Sequence, residues 1–346
     1  MEAKLSRHSL NDALEVIGKV LGGGLPLPHL AVLKVSCFIG YAQLQATNLE
    51  TYLTIQVPAG TLEAGVVCVS AEGFLKIAKA GSERVKLFTK DGYLVVQSGD
   101  VKGETFLVPV GEFPKFPTPT YQSSFPTKLL LSAIEKVEFA LAKHKDAMGY
   151  KYLLVDGEGS SVNFVASDVY RFVVFRAEVP FEGRIKLPYS SLEVLTELLE
   201  REGKETVRVG RNEEFVFLAG TDWELALRVK YWDHPDYKAV IPKECKTRAV
   251  LDIEELDRAL EEFSSVEEVV FHIDNGLKLT VKGVEKAKIN ATVEGQAINV
   301  AFELKLLREF TKANKGTLEI LLTDNRRPAV FKLGENLLYL LMPKRI

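Results

Sequence analysis

Residues Lys4–Leu21 read KLSRHSLNDALEVIGKVL, a short β-like stretch that runs into an amphipathic helix. The same pattern recurs at Thr127–Lys145 (TKLLLSAIEKVEFALAKHK) and at Thr247–Phe263 (TRAVLDIEELDRALEEF). Within the first copy, Leu10 and Leu14 lie one helical turn apart, as expected for a helix with one apolar face. The chain therefore contains one unit three times, at a period of roughly 115–120 residues. This period is too long for a solenoid repeat and fits a whole domain.

The continuation of each opening is also repeated. Alternating strands are predicted at Leu44–Asn48, Val162–Asp168 and Leu277–Gly283. A second helix is predicted at Ser70–Lys79, Pro188–Glu200 and Phe302–Asn314. More strands follow each second helix, with turn signals such as Lys90-Asp91-Gly92.

The first two copies close on similar motifs, Glu112–Phe116 (EFPKF) and Asp233–Tyr237 (DHPDY). Polar, Pro-containing linkers follow at Thr118–Thr127 and Pro242–Thr247. We therefore predict three domains, at residues 1–120, 127–243 and 247–346.

Two helices and two runs of strands in each copy indicate an α+β fold class. Each copy is predicted to be a two-layer domain with two helices packed on antiparallel sheets. Three such domains in a row favour a ring or an arc built by pseudo-symmetry.

Composition limits the function further. The 346 residues include 44 basic and 47 acidic side chains, a net charge of −3, so any DNA-binding charge must be segregated onto one surface. Three scattered cysteines give no zinc or disulfide pattern, and no leader or membrane span is recognisable, which favours the cytoplasm. No phosphate-binding loop, metal-binding motif or nucleophile motif is present, so we expect no cofactor, no metal and no catalytic residue.

Two acidic features leave room for a second hypothesis, an enzyme acting on DNA. Asp168 precedes Tyr170-Arg171, and Glu254, Glu255, Glu261 and Glu262 form an acidic helix. A turn or capping role for Asp168, and a solvated or intersubunit face for the helix, are the simpler interpretations.

Several motifs resemble the bacterial DNA sliding clamp, the beta subunit of DNA polymerase III, along the full chain. They are Leu25-Pro26, Ala46–Glu50 (ATNLE), Val165–Arg171 (VASDVYR), His234–Tyr237 (HPDY) and Leu338–Ile346 (LYLLMPKRI). The resemblance implies the DNA clamp fold in a head-to-tail homodimer, with helices lining a central hole. It also implies a non-enzymatic processivity factor whose partners are double-stranded DNA, a DNA polymerase and a clamp loader.

Basic residues on the helices are the candidates for facing DNA without reading its sequence. They are Lys76, Lys79, Lys136, Lys143, His144, Lys145, Lys305, Arg308, Lys312 and Lys315. Single lysines on helices are often only solvated, but Lys305, Arg308, Lys312 and Lys315 also recur at three- and four-residue steps.

The resemblance further implies an apolar groove that captures short linear motifs of partner proteins. Carried over by motif, its residues are Tyr150, Ser167, Val169, Tyr170, Arg171, Phe172, Pro235, Val240, Leu340, Met342, Pro343, Lys344 and Arg345. Ordinary inter-domain core is the alternative reading of this set.

The subunit contact is expected between Lys102–Val108 of one chain and the helix Leu256–Phe263, with neighbouring strand residues, of the other. A third hypothesis, a clamp-like regulator of plasmid or phage type that binds host replication proteins, follows from departures such as Gly22-Gly23-Gly24 and Ala239, where relatives often carry arginine.

Overall fold

A computed structural model describes residues 1–22, 31–78, 84–142, 150–229, 234–263 and 266–345. The chain divides into two compact units, which are described separately. Unit 1 comprises Met1–Leu131 with Ser190–Tyr231, and unit 2 comprises Ser132–Tyr189 with Trp232–Ile346. The predicted boundaries of three domains are not tested by this division and stay a prediction.

The order of elements repeats three times as strand, helix, strands, helix and three strands. The first copy contains β1 (Glu2–Ser6), α1 (Arg7–Gly22), β2 (Val32–Phe38), β3 (Tyr41–Thr47), β4 (Thr51–Glu63), β5 (Gly65–Ser70), α2 (Ala71–Ala78), β6 (Arg84–Lys90), β7 (Tyr93–Ser98) and β8 (Val101–Val108). The second contains β9 (Ser123–Pro126), α3 (Thr127–Val137), β10 (Tyr152–Gly159), β11 (Val162–Ser167), β12 (Arg171–Ala177), β13 (Phe181–Pro188), α4 (Tyr189–Arg201), β14 (Thr206–Arg211), β15 (Phe215–Ala219) and β16 (Trp223–Arg228).

A one-turn helix, α5 (Tyr237–Val240), precedes the third copy. That copy contains β17 (Thr247–Asp252), α6 (Ile253–Glu261), β18 (Glu268–Ile273), β19 (Leu277–Val281), β20 (Val284–Ile289), β21 (Ala291–Gly295), β22 (Ile298–Glu303), α7 (Leu304–Lys312), β23 (Thr317–Leu322), β24 (Ala329–Leu333) and β25 (Leu337–Leu341). The α+β class and the tandem repetition predicted from the sequence are confirmed.

Unit 1 is built on one twelve-stranded antiparallel sheet, in the order β1-β6-β7-β8-β5-β2-β3-β4-β16-β15-β14-β9. Strand β1 also pairs with β4, so the first eight strands form a closed circuit. The thirteen-residue β4 makes this possible: its first residues pair with β16 and its last with β1.

Unit 2 contains two sheets. The larger has nine strands in the order β13-β10-β11-β12-β25-β24-β23-β17-β21, and the smaller has four, β20-β19-β18-β22. Helices α6 and α7 contact each other, and they pack on strands of both sheets.

The helices form where the sequence predicts them because their apolar residues face the strands. Leu10, Leu14 and Ile17 of α1 are fully buried, as are Leu256 and Leu260 of α6. Helix α6 begins at an N-cap, Asp252, whose carboxylate accepts a hydrogen bond from the Glu255 amide at 3.0 Å. None of the helices in the described ranges combines the length and the apolar character needed to cross a bilayer.

Candidate functional site

The candidate groove lies in unit 2, where the turn before β12 meets the end of β25. The two strands are antiparallel, with Arg171 opposite Leu341 and Phe172 opposite Leu340. The pairing continues past β25, because the Met342 amide donates to the Tyr170 carbonyl oxygen at 2.9 Å. This pairing places residues of VASDVYR and of LYLLMPKR, which are far apart in sequence, side by side.

Four apolar side chains of the predicted groove are exposed to solvent. Val169 is 51% exposed, Tyr170 62%, Val240 38% and Met342 42%. Large apolar side chains are normally buried, so an exposed set drawn from three segments of one unit is typical of a binding surface.

Two other predicted groove residues are part of a buried apolar cluster in unit 2. It contains Phe172 and Leu340, with Leu154, Val165, Val174, Tyr237 and Val330, and the partly buried Tyr150 and Ile241 pack against it. Of the predicted groove residues, Phe172 and Leu340 therefore belong to the buried core.

The remaining predicted groove residues occupy different environments. Ser167 is fully buried and its hydroxyl donates to the Arg171 carbonyl at 2.6 Å, while Arg171 itself is only 5% exposed. Pro235 and Pro343 are half-buried, and Arg345 is exposed. The Lys344 amide donates to the Ala301 carbonyl at 2.8 Å, which docks the C-terminal segment on β22.

A polar network fixes the one-turn helix α5, which carries Val240. The Tyr237 hydroxyl donates to Asp156 Oδ2 at 2.9 Å, and Arg184 Nε donates to Asp156 Oδ1 at 2.7 Å. Lys238 Nζ pairs with Glu158 at 2.6 Å. Burial alone would raise the pKa of the Asp156 carboxyl, but the hydrogen bonds from Arg184 and Tyr237 hold this pKa below its usual value.

Sequence reasoning missed Asp156, Arg184 and Tyr237 as members of the network that holds α5. Tyr237 had a signal, since it closes the HPDY motif. Asp156 and Arg184 had no such signal in the sequence, because their ion pair depends on the pairing of β10 with β13.

Three of the predicted DNA-facing residues line one basic cleft in unit 2. Lys136, Lys312 and Lys315 border a cavity of about 510 Å³, together with Asn314 and Asn336. No acidic residue lines this cavity in the described part of the chain. An open cleft with three ammonium groups and amide donors is suited to binding phosphate groups.

The other predicted DNA-facing residues are distributed differently. Lys305 is exposed on α7, Arg308 pairs with Glu261 at 3.4 Å, and Lys76 of unit 1 pairs with Glu72 at 2.7 Å. Lys79, Lys143, His144 and Lys145 lie outside the described residues, as do Leu25 and Pro26 of the first motif.

The acidic features occupy structural positions. Asp168 accepts the Arg171 Nε–H at 2.8 Å and the Tyr170 amide at 3.2 Å, which is a turn-forming role. Glu255 accepts the Asn290 amide at 3.3 Å, and Glu254 accepts the Gly316 amide at 3.2 Å. Within the described ranges, no cluster of three or more His, Cys, Asp or Glu side chains could hold a metal ion.

Unit 1 contains an equivalent junction that serves as an internal comparison. There, β4 pairs with β16, Tyr52 lies opposite Ala226, and the Arg228 amide donates to the Glu50 carbonyl at 2.7 Å. The residue before Glu50, Leu49, has a φ of 70°, matching the φ of 86° at Val169. The two turns therefore share one backbone design.

The surfaces of the two junctions differ. Where unit 2 presents Tyr170 and Met342, unit 1 has the exposed Glu50 and the half-buried Arg228. The exposed apolar set at the second junction is therefore not required by the fold.

Comparison with known proteins gives one consistent result. Over 100% of both chains, the protein is 24% identical to the beta sliding clamp of Streptomyces coelicolor and 23% identical to that of Vibrio cholerae. The DNA polymerase III beta subunit of Thermotoga maritima superposes with a TM-score of 0.89 at 24% identity, over 100% of this chain and 99% of that one. The Caulobacter crescentus beta sliding clamp gives a TM-score of 0.93 at 21% identity, over 100% of both chains.

This chain has the fold of a bacterial DNA sliding clamp. The resemblance carried by the sequence motifs is thereby confirmed along the whole length of the chain. No protein-family model matches the sequence.

The network beneath α5 in this clamp fold gives the first prediction. Asp156→Asn removes the charge that Arg184 and Lys238 face, so we expect a loss of about 1–3 kcal/mol of stability at pH 7. Because the pKa of Asp156 is depressed in the folded protein, its contribution is present above the ordinary Asp pKa of about 4 and is lost as the pH falls through the folded value.

The difference in thermal midpoint between Asp156→Asn and the unmodified protein should therefore shrink as the pH is lowered below about 4. Calorimetry from pH 7 to 3 measures it. The exposed Glu335→Gln is the control, and a pH-independent difference would contradict the role of the Asp156 charge.

Proposed function

We propose that this protein is a DNA polymerase processivity factor. Two copies form a ring-shaped sliding clamp that encircles duplex DNA and tethers the polymerase and other replication or repair proteins through the peptide-binding groove. The protein acts in the cytoplasm as a non-catalytic accessory subunit. The observation that carries this proposal is the rule by which the repeated copies pair. Among the described strands, this rule leaves one strand at each end of the series without a partner from another copy.

The rule is seen twice within the chain. The last strand of the second copy, β16, pairs with β4, the strand that follows the second hairpin turn of the first copy. The last strand of the third copy, β25, pairs in the same way with β12 of the second copy. In both cases, the last strand of a copy pairs with the β4-like strand of the preceding copy.

Of the strands in the described ranges, two have no such partner. Strand β8, the last of the first copy, pairs with β7, and only its Leu107 and Val108 reach β5. Strand β20, the β4-like strand of the third copy, is an edge of its sheet. Unpaired edges with apolar side chains favour pairing with another chain.

The side chains at these two edges suit an interface. Val101 is 43% exposed and Phe106 67% exposed on β8, and Val284 is 55% exposed on β20. If β8 of one chain pairs with β20 of the next, the contact is head-to-tail, and two chains close a ring of six copies. The expected role of Lys102–Val108 is retained in this proposal.

The helix proposed from the sequence for the other side of the contact is less suitable. Leu256, Leu260 and Phe263 are buried within unit 2, so their side chains are not available to a second chain. In the proposal, strand β20 replaces this helix as the side of the contact that faces β8. The exposed polar side chains of α6 lie at the periphery of the interface.

The basic cleft provides the contact with DNA. Its three lysines attract backbone phosphates, and no base-reading groove is needed, so binding is independent of sequence and weakens with salt. The net charge of −3 keeps non-specific adsorption low, while enclosure of the duplex supplies retention. Retention by topology leaves the clamp free to slide.

The groove provides the contact with partner proteins. An extended peptide would place aliphatic and aromatic anchors among Val169, Tyr170, Val240 and Met342, while backbone groups fix its register. Met342 adapts its packing to different anchors, which suits a surface shared by a polymerase, a clamp loader and other partners.

The ring proposal predicts a solution mass near twice the 38.5 kDa of one chain. Phe106→Asp places a charge in the proposed interface and should raise the dimer dissociation constant by more than about tenfold. Light scattering over a dilution series measures this. Ile39→Asp, at a side chain 93% exposed elsewhere in unit 1, is the control and should leave the mass unchanged. A Phe106→Asp protein that remains dimeric at every concentration would exclude this edge.

The groove proposal predicts that the combined change Tyr170→Ala and Met342→Ala weakens binding of a motif peptide by at least about tenfold, because two exposed anchors are removed. Fluorescence anisotropy with a labelled peptide measures the affinity. Leu62→Ala, at a similarly exposed apolar residue (65%), is the control. Equal affinity for all three proteins would place the peptide site elsewhere.

The function itself is tested by primer extension on a primed circular single-stranded template with polymerase and clamp loader. Adding the protein should lengthen the products of a single binding event. The combined change Lys312→Gln and Lys315→Gln should shorten them, because the clamp leaves DNA faster. The exposed pair Lys115→Gln and Lys243→Gln is the control. Products that are no longer with the unmodified protein than without it would refute the processivity role.

A further inference from the structure

The two equivalent junctions differ beneath the surface as well as on it. At the start of β4, the Thr51 hydroxyl contacts the Ser191 hydroxyl at 2.8 Å, and both residues are buried. At the same position of β12 stands Arg171, whose side chain is only 5% exposed. The first junction therefore has the same backbone arrangement with a neutral pair of hydroxyls in place of a buried cation.

Arg171 is held by groups from three parts of unit 2. Its Nε donates to Asp168 Oδ2 at 2.8 Å, and its Nη1 lies 2.6 Å from Glu309 Oε2 on α7. Its Nη2 donates to the Phe139 carbonyl at 2.9 Å, and the guanidinium lies 5.4 Å from the centre of the Phe139 ring. Two nitrogens of the guanidinium thus donate hydrogen bonds inside the protein, and the third forms an ion pair with Glu309.

A buried ion pair is a costly way to stabilise a fold. Desolvation of the charges opposes their attraction, and apolar or neutral replacements often stabilise a protein equally well. Because the first junction uses such a neutral replacement, the charged group at the second junction calls for a functional explanation.

The segment that this charge cluster restrains is the turn that forms one wall of the groove. Asp168, which pairs with Arg171, also accepts the Tyr170 amide at 3.2 Å. Val169 has a φ of 86°, a conformation that is strained for a β-branched residue and persists only where its surroundings enforce it. The Tyr170 carbonyl in turn receives the Met342 amide of the opposite wall.

We propose that Glu309 is a positioning residue for the groove: through Arg171 and Asp168 it holds the turn Asp168–Tyr170 in the shape that presents Val169 and Tyr170 to a bound peptide. The proposal rests on the peptide-binding function proposed above. Glu309 lies on α7, outside the segments that carry the predicted groove residues, and its link to the turn is the ion pair with Arg171.

Glu309→Gln tests this, because it keeps the size of the side chain and removes the charge. The probe is a fluorescein-labelled hexapeptide that carries aliphatic and aromatic anchor residues, the peptide chemistry proposed above for the groove. We expect its dissociation constant, measured by fluorescence anisotropy with the full-length protein, to rise at least about fivefold for Glu309→Gln. Asp168→Asn, which removes the second arm of the cluster, should show a loss of the same order.

Two further variants separate positioning from general stability. Glu309→Asp keeps the charge and should restore the affinity to within about threefold of the unmodified protein. Glu319→Gln is the matched control: Glu319 is 30% exposed, pairs with Arg248 at 3.2 Å on another strand of unit 2, and should leave the affinity unchanged. Thermal melting of all variants by circular dichroism shows whether any of them unfolds at the assay temperature.

The outcomes are distinguishable. Weaker binding by Glu309→Gln and Asp168→Asn, with recovery in Glu309→Asp, supports the positioning role. Equal affinity of Glu309→Gln and the unmodified protein overturns it while leaving the groove intact. If Glu309→Asp and Glu319→Gln lose as much peptide affinity as Glu309→Gln, and the losses follow the fall in thermal midpoint, the positioning role is also overturned. If the unmodified protein does not bind the peptide, the groove proposal fails together with the positioning role.

Discussion

Antiparallel pairing between the last strand of one copy and the β4-like strand of the preceding copy is the constraint on which the rest of the structure depends. Each pairing hides a row of backbone groups that would otherwise be an exposed edge. Inside the chain the rule operates at β4–β16 and at β12–β25, and it continues each sheet beyond a single copy. The two strands that the rule leaves over, β8 and β20, are the basis of the proposed ring, because backbone pairing has the same geometry within a chain as between chains.

The same pairing creates the place where a peptide-binding surface can develop. At each junction a tight turn with a left-handed residue is brought against the end of a strand by one backbone hydrogen bond, from Arg228 to Glu50 or from Met342 to Tyr170. In unit 1 the side chains at this point are polar or half-buried, and in unit 2 they are apolar and exposed. Comparison of the two junctions therefore distinguishes features that both share from features found at one alone. The exposed apolar residues and the buried Arg171 are found only at the junction in unit 2.

Within the described residues, unpaired positive charge is concentrated at one cleft of the protein. The chain as a whole is slightly acidic, and many of its basic groups are paired, such as Arg184 with Asp156 and Arg248 with Glu319. Lys136, Lys312 and Lys315 instead border one cleft without an acidic neighbour in its described lining. A concentrated patch of this kind attracts phosphates at short range, while the overall charge gives no general affinity for nucleic acid.

The sequence by itself determined the class of the fold, the threefold repetition and the positions of most helices, because the spacing of residues such as Leu10 and Leu14 depends only on the local backbone. Through the resemblance of short motifs to a known family, it also gave the prediction that Val169, Tyr170 and Met342 line a groove. Only the tertiary structure decided that Arg171, named with them, is buried beneath the turn, and that Glu309 is its partner on α7. Glu309 is one of several acidic residues on amphipathic helices, so nothing local distinguishes it. The packing of segments far apart in the chain brings Arg171 to Glu309 and Lys136 to Lys312. Such packing depends on both segments and on the sheet that joins them, so a local sequence pattern cannot predict it.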